Sequence, residues 1–266
     1  MSRWLVHVVA PLLGATFALS GVFALGQQAR DYLRGQDRYR IAFHDIDCPL
    51  PEGMTRADFL GEVQYVAAWP DAVPLLDDRL AARLEKAFAA HPWVEEVRRV
   101  EVTADRHIHV DLAFRTPVLA VPTRGKGEGA IIYRGVDAKG VLLPRSAADG
   151  SLKPQLAGDL PAPSGRAGTV WDDRRVQTAV RTAVYLRPYR DQLGIDRFEF
   201  AGDDLVVLSR QGRVVWGRAP GDERADEASA DVKLERLLEP PPATPDDRDR
   251  DVRPLPETDT RVVKSK

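Results

Sequence analysis

Residues Trp4 to Leu25, WLVHVVAPLLGATFALSGVFAL, run for 22 positions without a formal charge. An α-helix rises about 1.5 Å per residue, so such a run reaches across a bilayer hydrocarbon core of roughly 30 Å. Pro11, Gly14 and Gly21 are poor residues for a soluble helix but are tolerated in a membrane one. As a signal anchor the run stays and the remaining chain is exported. As a signal peptide it is cleaved at a small-x-small pattern, Ala18-Leu19-Ser20 or Ala24-Leu25-Gly26. The length favours the anchor: residues 1–26 form a short N-terminus plus a transmembrane helix, with residues 4–25 in the lipid bilayer. A third reading keeps the body of the protein in the cytoplasm. Arg30, Arg34, Arg38 and Arg40 follow the run and only Arg3 precedes it, so the positive-inside rule points that way.

The remaining length is enough for one or two domains with a real core. The full chain's 38 basic and 40 acidic residues give a net charge of −2 and are mixed along it. That is an ordinary solvated surface without the basic footprint of a nucleic-acid binder. Cys48 is the single cysteine, which excludes an intramolecular disulfide framework and a cysteine-rich zinc site.

Residues 27–37 are polar and read as a linker. Arg38 to Ile46 predicts a short strand, since Tyr39, Ile41 and Phe43 alternate with polar neighbours. Thr55 with Asp58 marks a helix start, followed by Phe59, Leu60 and Val63 at helical spacing. A second helix is expected from Asp77, with Leu80, Leu84 and Phe88 as its apolar stripe and His91-Pro92 as its stop. Val94 to Val102 and Ile108 to Phe114 then read as an antiparallel hairpin. After Pro117 the texture changes to short β segments at 118–121, 131–133 and 141–143. Residues 144–168 are rich in Pro, Gly and Ser and read as loop. A helix is expected over about 172–187, where Val176, Ala179, Val180, Ala183 and Val184 share a face. Strands at 195–200, 205–209 and 213–217 follow, then a short helix over 229–238 and a Pro- and charge-rich tail.

His91-Pro92-Trp93-Val94, set between a helix and a hairpin ending Phe114-Arg115-Thr116-Pro117-Val118, resembles the FtsQ/DivIB family of bacterial cell-division proteins. Val136-Asp137 with Gly140, Leu156-Ala157-Gly158, the hairpin ending Gly217-Arg218, and Lys233-Leu234 resemble successive features of that family in the same order. Arg115 departs from its usual acidic residue, and Pro254 and Pro256 follow the Asp251-Val252-Arg253 that resembles its last strand. The resemblance implies an α+β chain. An N-terminal transmembrane helix precedes a POTRA domain (β-α-α-β-β) over 38–116. A mostly antiparallel β domain with one long helix over 117–238 and a tail over 239–266 complete it. It implies a cell inner membrane protein, single-pass with the N-terminus cytoplasmic, acting as a non-catalytic scaffold. Its expected partners are membrane-anchored division proteins, small coiled-coil bitopic ones among them. Alternatives are a POTRA-bearing module of polypeptide transport or outer-membrane assembly, and an exported cell-wall enzyme.

Binding is expected at exposed sheet edges, where an incoming strand satisfies free backbone groups. Tyr39, Ile41 and Phe43 mark one edge. Arg213, Val215 and Gly217 mark a second, to which the resemblance adds Asp251 and Arg253. Pro92, Trp93, Val94, Asp137 and Gly140 are expected in structural roles. No catalytic residue, cofactor or metal is expected. His107 and His109 share a strand face without a third ligand nearby. The pairs Asp77-Asp78, Asp172-Asp173 and Asp203-Asp204 stand at helix starts or a turn, where Asp is favoured for capping. Gly125–Gly129 lacks the ending of a P-loop.

Overall fold

The structure, a computed structural model, describes residues 20–26, 28, 32, 36–103, 105–125, 130–144, 151–158, 160–239 and 250–255. These residues fold as α+β and divide between Phe114 and Arg115 into two compact units. The expected membrane-spanning helix is corrected: among the described residues no helix is long and apolar enough to cross a membrane. Residues 20–26 are helical, but such a piece rises only about 10 Å against a hydrocarbon core of roughly 30 Å. Positions 4–19 of the expected span lie outside the described residues. So do most of the expected linker, residues 126–129 and 145–150, and positions 240–249 and 256–266 of the expected tail.

In the first unit β1 (Arg40–Ala42) pairs antiparallel with β2 (Ala72–Pro74), and β3 (Val94–Val102) with β4 (Ile108–Phe114). Helix α1 (Arg56–Ala67) lies before β2, and α2 (Leu80–Ala89) before β3. The Thr55 hydroxyl accepts the Asp58 amide at 3.2 Å and donates to the Asp58 carboxylate at 2.6 Å, which caps α1. Helix α2 starts at Leu80 and not at Asp77. The Asp77 side chain takes the Arg79 amide and its carbonyl takes the Leu80 amide, so residues 77–79 are spent on a turn.

The expected strand Arg38–Ile46 is interrupted. Only Arg40–Ala42 joins a ladder, and Phe43–Asp45 forms a 3₁₀ turn. That turn drops Phe43 into the core, where its ring stacks on Phe88 with centroids 6.2 Å apart. The chain regains a sheet at Asp47, whose amide and carbonyl bond Ile108 and Val110 of β4. Phe59, Leu60 and Val63 of α1 and Leu84 and Phe88 of α2 bury the inward residues Ile108, Val110 and Leu112 of β4.

The second unit is built on one seven-stranded sheet in the order β11-β10-β9-β8-β7-β5-β6. The strands are β5 (Pro117–Arg124), β6 (Ile131–Asp137), β7 (Gln155–Leu156), β8 (Arg197–Ala201), β9 (Asp204–Ser209), β10 (Gly212–Gly217) and β11 (Arg250–Asp251). Hairpins β5-β6, β8-β9 and β9-β10 are antiparallel and supply most of the ladder. All three parallel pairings, β5-β7, β7-β8 and β10-β11, come from the two strands of only two residues. Both lie where the sequence reads as loop or tail. A parallel neighbour requires a crossover, and helices supply it for β7-β8 and β10-β11. Helix α3 (Arg174–Leu186), with the short α4 (Arg190–Leu193), connects β7 to β8. Helix α5 (Ala230–Leu238) stands between β10 and β11. Asp173 caps α3 by accepting the Arg175 and Val176 amides at 2.8 and 3.1 Å. The helix then lays Val176, Ala179, Val180, Ala183 and Leu186 on Leu119, Phe198, Val207 and Trp216 of the sheet.

Candidate partner-binding edge

In the first unit Tyr39 ends the 3₁₀ turn Asp37–Tyr39, and its hydroxyl accepts the Arg38 guanidinium at 2.7 Å. Ile41 and Phe43 are buried, with Ile41 opposite Val73 in the ladder. They can offer a partner backbone but no side chain. Trp93 and Val94 are buried and Pro92 half-buried. The same turn buries His91. Its Nδ1 accepts the Trp93 amide at 3.4 Å, and its Nε2 stands 3.1 Å from Glu62 of α1. An accepting Nδ1 leaves the proton on Nε2, which donates to Glu62. Burial lowers the His91 pKa, against the pull of the Glu62 carboxylate.

The expected edge of the second unit is not bare. Strand β11 covers part of β10, with Arg250 opposite Val214 and Asp251 opposite Val215. The Val252 amide bonds the Val215 carbonyl at 3.3 Å, and the Val252 side chain is fully buried. Arginines fasten this short segment. Arg236 of α5 donates to the carbonyls of Val252 and Pro254 at 2.8 and 2.5 Å. Arg250 returns a bond to the Arg236 carbonyl at 2.5 Å. Arg253 forks onto Asp251 at 2.6 and 2.9 Å and reaches Asp204 of β9 at 2.5 Å. That contact holds the Asp251 carboxyl below its usual range. Pro254, without an amide hydrogen, follows Arg253 and ends the pairing with β10, and the chain there bridges antiparallel to Glu227, with the Ala228 amide on the Arg253 carbonyl at 2.7 Å. Of the remaining expected residues, Arg213 pairs with Glu199 at 3.3 Å and Val215 is half-buried. Gly217 sits at a register shift with φ of 89°. A Cβ there would strike Glu227 and Arg253, so both its conformation and its space demand glycine.

Beneath this edge lies a buried ion pair that the sequence reading missed. Lys233 of α5 and Glu227 are both buried and meet at 2.5 Å. Glu227 also accepts the amides of Arg218 and Arg224 at 2.8 and 3.2 Å. Burial alone would raise the Glu227 pKa, but the Lys233 ammonium and the two amides bring it below the ordinary value. Lys233 further stands 5.3 Å over the Trp216 ring. In the sequence Lys233 stands out only through the Lys233-Leu234 resemblance, and no short-range signal marks it as buried.

The other expected sites fall apart into structural roles. Asp137 takes the Lys139 and Val141 amides at 2.9 and 2.8 Å and pairs with Arg115 at 2.7 Å. Arg115, the departure from the family's acid, therefore has its own partner within this unit. Gly140 turns the chain at φ of 75° under Gln177. His109 is half-exposed and bonds Asp47 at 2.9 Å, while His107 stands exposed beside Asp105. Asp203 pairs with Arg218 at 3.0 Å, which lowers its pKa, and Asp204 pairs with Arg224 and Arg253. A carboxyl whose pKa is lowered by a guanidinium, as that of Asp203 is, makes a poor general acid. No family model matches the chain, and no curated protein matches it in sequence.

Proposed function

We propose that the chain is a non-catalytic scaffold of the bacterial division machinery, of the FtsQ/DivIB type. It works at the cell inner membrane with its two folded units on the extracytoplasmic side. The observation that carries this reading is the terminal strand Arg250–Asp251. Among the described residues no second strand pairs with Arg250–Asp251 beyond β10, while Val252, Arg236, Arg253 and the bridge from Pro254 to Glu227 hold the segment in place. An incoming strand gains affinity by filling free ladder positions on an edge that is already rigid. Exposed Leu255, just beyond the strand, offers an apolar contact to the same partner. The order of motifs from His91-Pro92-Trp93 to Asp251-Val252-Arg253 supports the family reading, with small coiled-coil division proteins as the partners. Depleting the chain in its own bacterium is expected to yield filaments with unfinished septa. Normal division after depletion would overturn the proposal, and a defect confined to outer-membrane assembly would replace it with the transport reading.

A further inference from the structure

The seven-stranded sheet has a gap at one end. Strand β5 pairs with β7 only at Ala120, opposite Gln155. Before that point stand Pro117 at the start of β5 and, just ahead of β7, Pro154, whose carbonyl accepts the Ala120 amide at 3.0 Å. Neither has an amide hydrogen, so the ladder cannot continue toward the start of the strands. Above the gap passes the C-terminal end of α3. What remains is a cavity of about 130 Å³ walled by Val118, Ala183, Leu186, Ile195 and Phe198. Apolar cavities of on the order of 150 Å³ hold a benzene ring, so this one has room for one branched or aromatic side chain.

The mouth of the cavity is cationic. Arg187 and Arg190 stand on its rim. Through Arg190 and Ile195 it continues into a broad open groove lined by Lys153, Asp196 and Arg210. Two of the cations there are already matched, Lys153 with Asp196 at 2.7 Å and Arg190 with Asp191 at 3.0 Å. Arg187 and Arg210 pair with no carboxylate among the described residues, one on the rim of the cavity and the other along the groove. The last turn of a helix already attracts cations, which accounts for Arg187 in part. It accounts neither for Arg210, on the β9–β10 turn, nor for the cavity that Arg187 helps to line.

We propose that this cavity and groove bind an acidic peptide segment of a partner protein, with one apolar side chain in the cavity and carboxylates toward Arg187 and Arg210. The surface is separate from the β11 edge and does not depend on the division reading. The test titrates the full chain into a fluorescently labelled probe, acetyl-Asp-Asp-Leu-Asp-Asp-amide, and follows anisotropy. Saturable binding is expected, weakened about tenfold or more when Ala replaces the probe's Leu. It is also expected to weaken about threefold with Arg187→Gln, a change at an exposed position. Ala183→Leu fills the cavity, so a raised melting temperature together with lost binding is expected from it. Absence of saturable binding up to about 1 mM would overturn the proposal. So would equal affinity for a probe with Asn in place of every Asp, or wild-type affinity in Arg187→Gln.

Discussion

His91 ties helix α1 to the turn that launches β3, through Glu62 on one ring nitrogen and the Trp93 amide on the other. Only the neutral ring can do both, because a protonated Nδ1 no longer accepts the Trp93 amide. Burial holds the pKa of His91 below its ordinary 6.5 in the folded chain. Between those two values the unfolded chain carries the extra proton, so the stability this ring contributes is whole above about pH 6.5 and falls as pH drops below it. The loss levels off once the folded ring is itself protonated. Urea midpoints at about pH 7.5 and about pH 5.5 check this. The drop is expected to be smaller in His91→Gln, whose amide keeps a donor and an acceptor without titrating. An equal drop in both proteins would assign the slope to carboxylates instead.

Among the elements, those with a strong period were legible in the sequence. Thr55, Asp173 and Ser229 each stand one residue before the helix they cap. The hairpins β3-β4 and β9-β10 lie where alternating Val, Ile and Leu place them. The misses have a common cause. Gln155–Leu156 and Arg250–Asp251 are too short to show a period, and each is extended because a neighbouring strand offers ladder positions. The break in the first expected strand is tertiary as well, since alternation at Ile41 and Phe43 is satisfied equally by a strand and by a turn that buries Phe43. At the candidate edge Gly217, Asp251 and Arg253 were legible, whereas Val252, Arg236 and the Glu227–Lys233 pair were not. Removing residues 250–266 tests how far the terminal strand supports the fold. It exposes the Val252 site, so a loss of about 2 kcal/mol is expected in urea unfolding. Unchanged stability would mean that β11 is an ornament on a sheet complete without it.

At the scale of the whole molecule, the chain folds as two units, each with its own buried core. Asp58, Asp137, Asp173, Asp204 and Asp251 serve caps, turns and arginine pairs, and the scaffold reading rests on backbone edges instead. The scaffold reading concentrates partner contact on the β10–β11 side of the second unit. The direct measurement is photo-crosslinking in native membranes from Leu255 and Arg213 at that side, with exposed Ile131 on β6 at the far end of the sheet as the control. Capture of small coiled-coil division proteins from Leu255 and Arg213, and not from Ile131, is the expected result. Capture of those proteins equally from Ile131, or of none from any position, would contradict partner binding at the terminal strand.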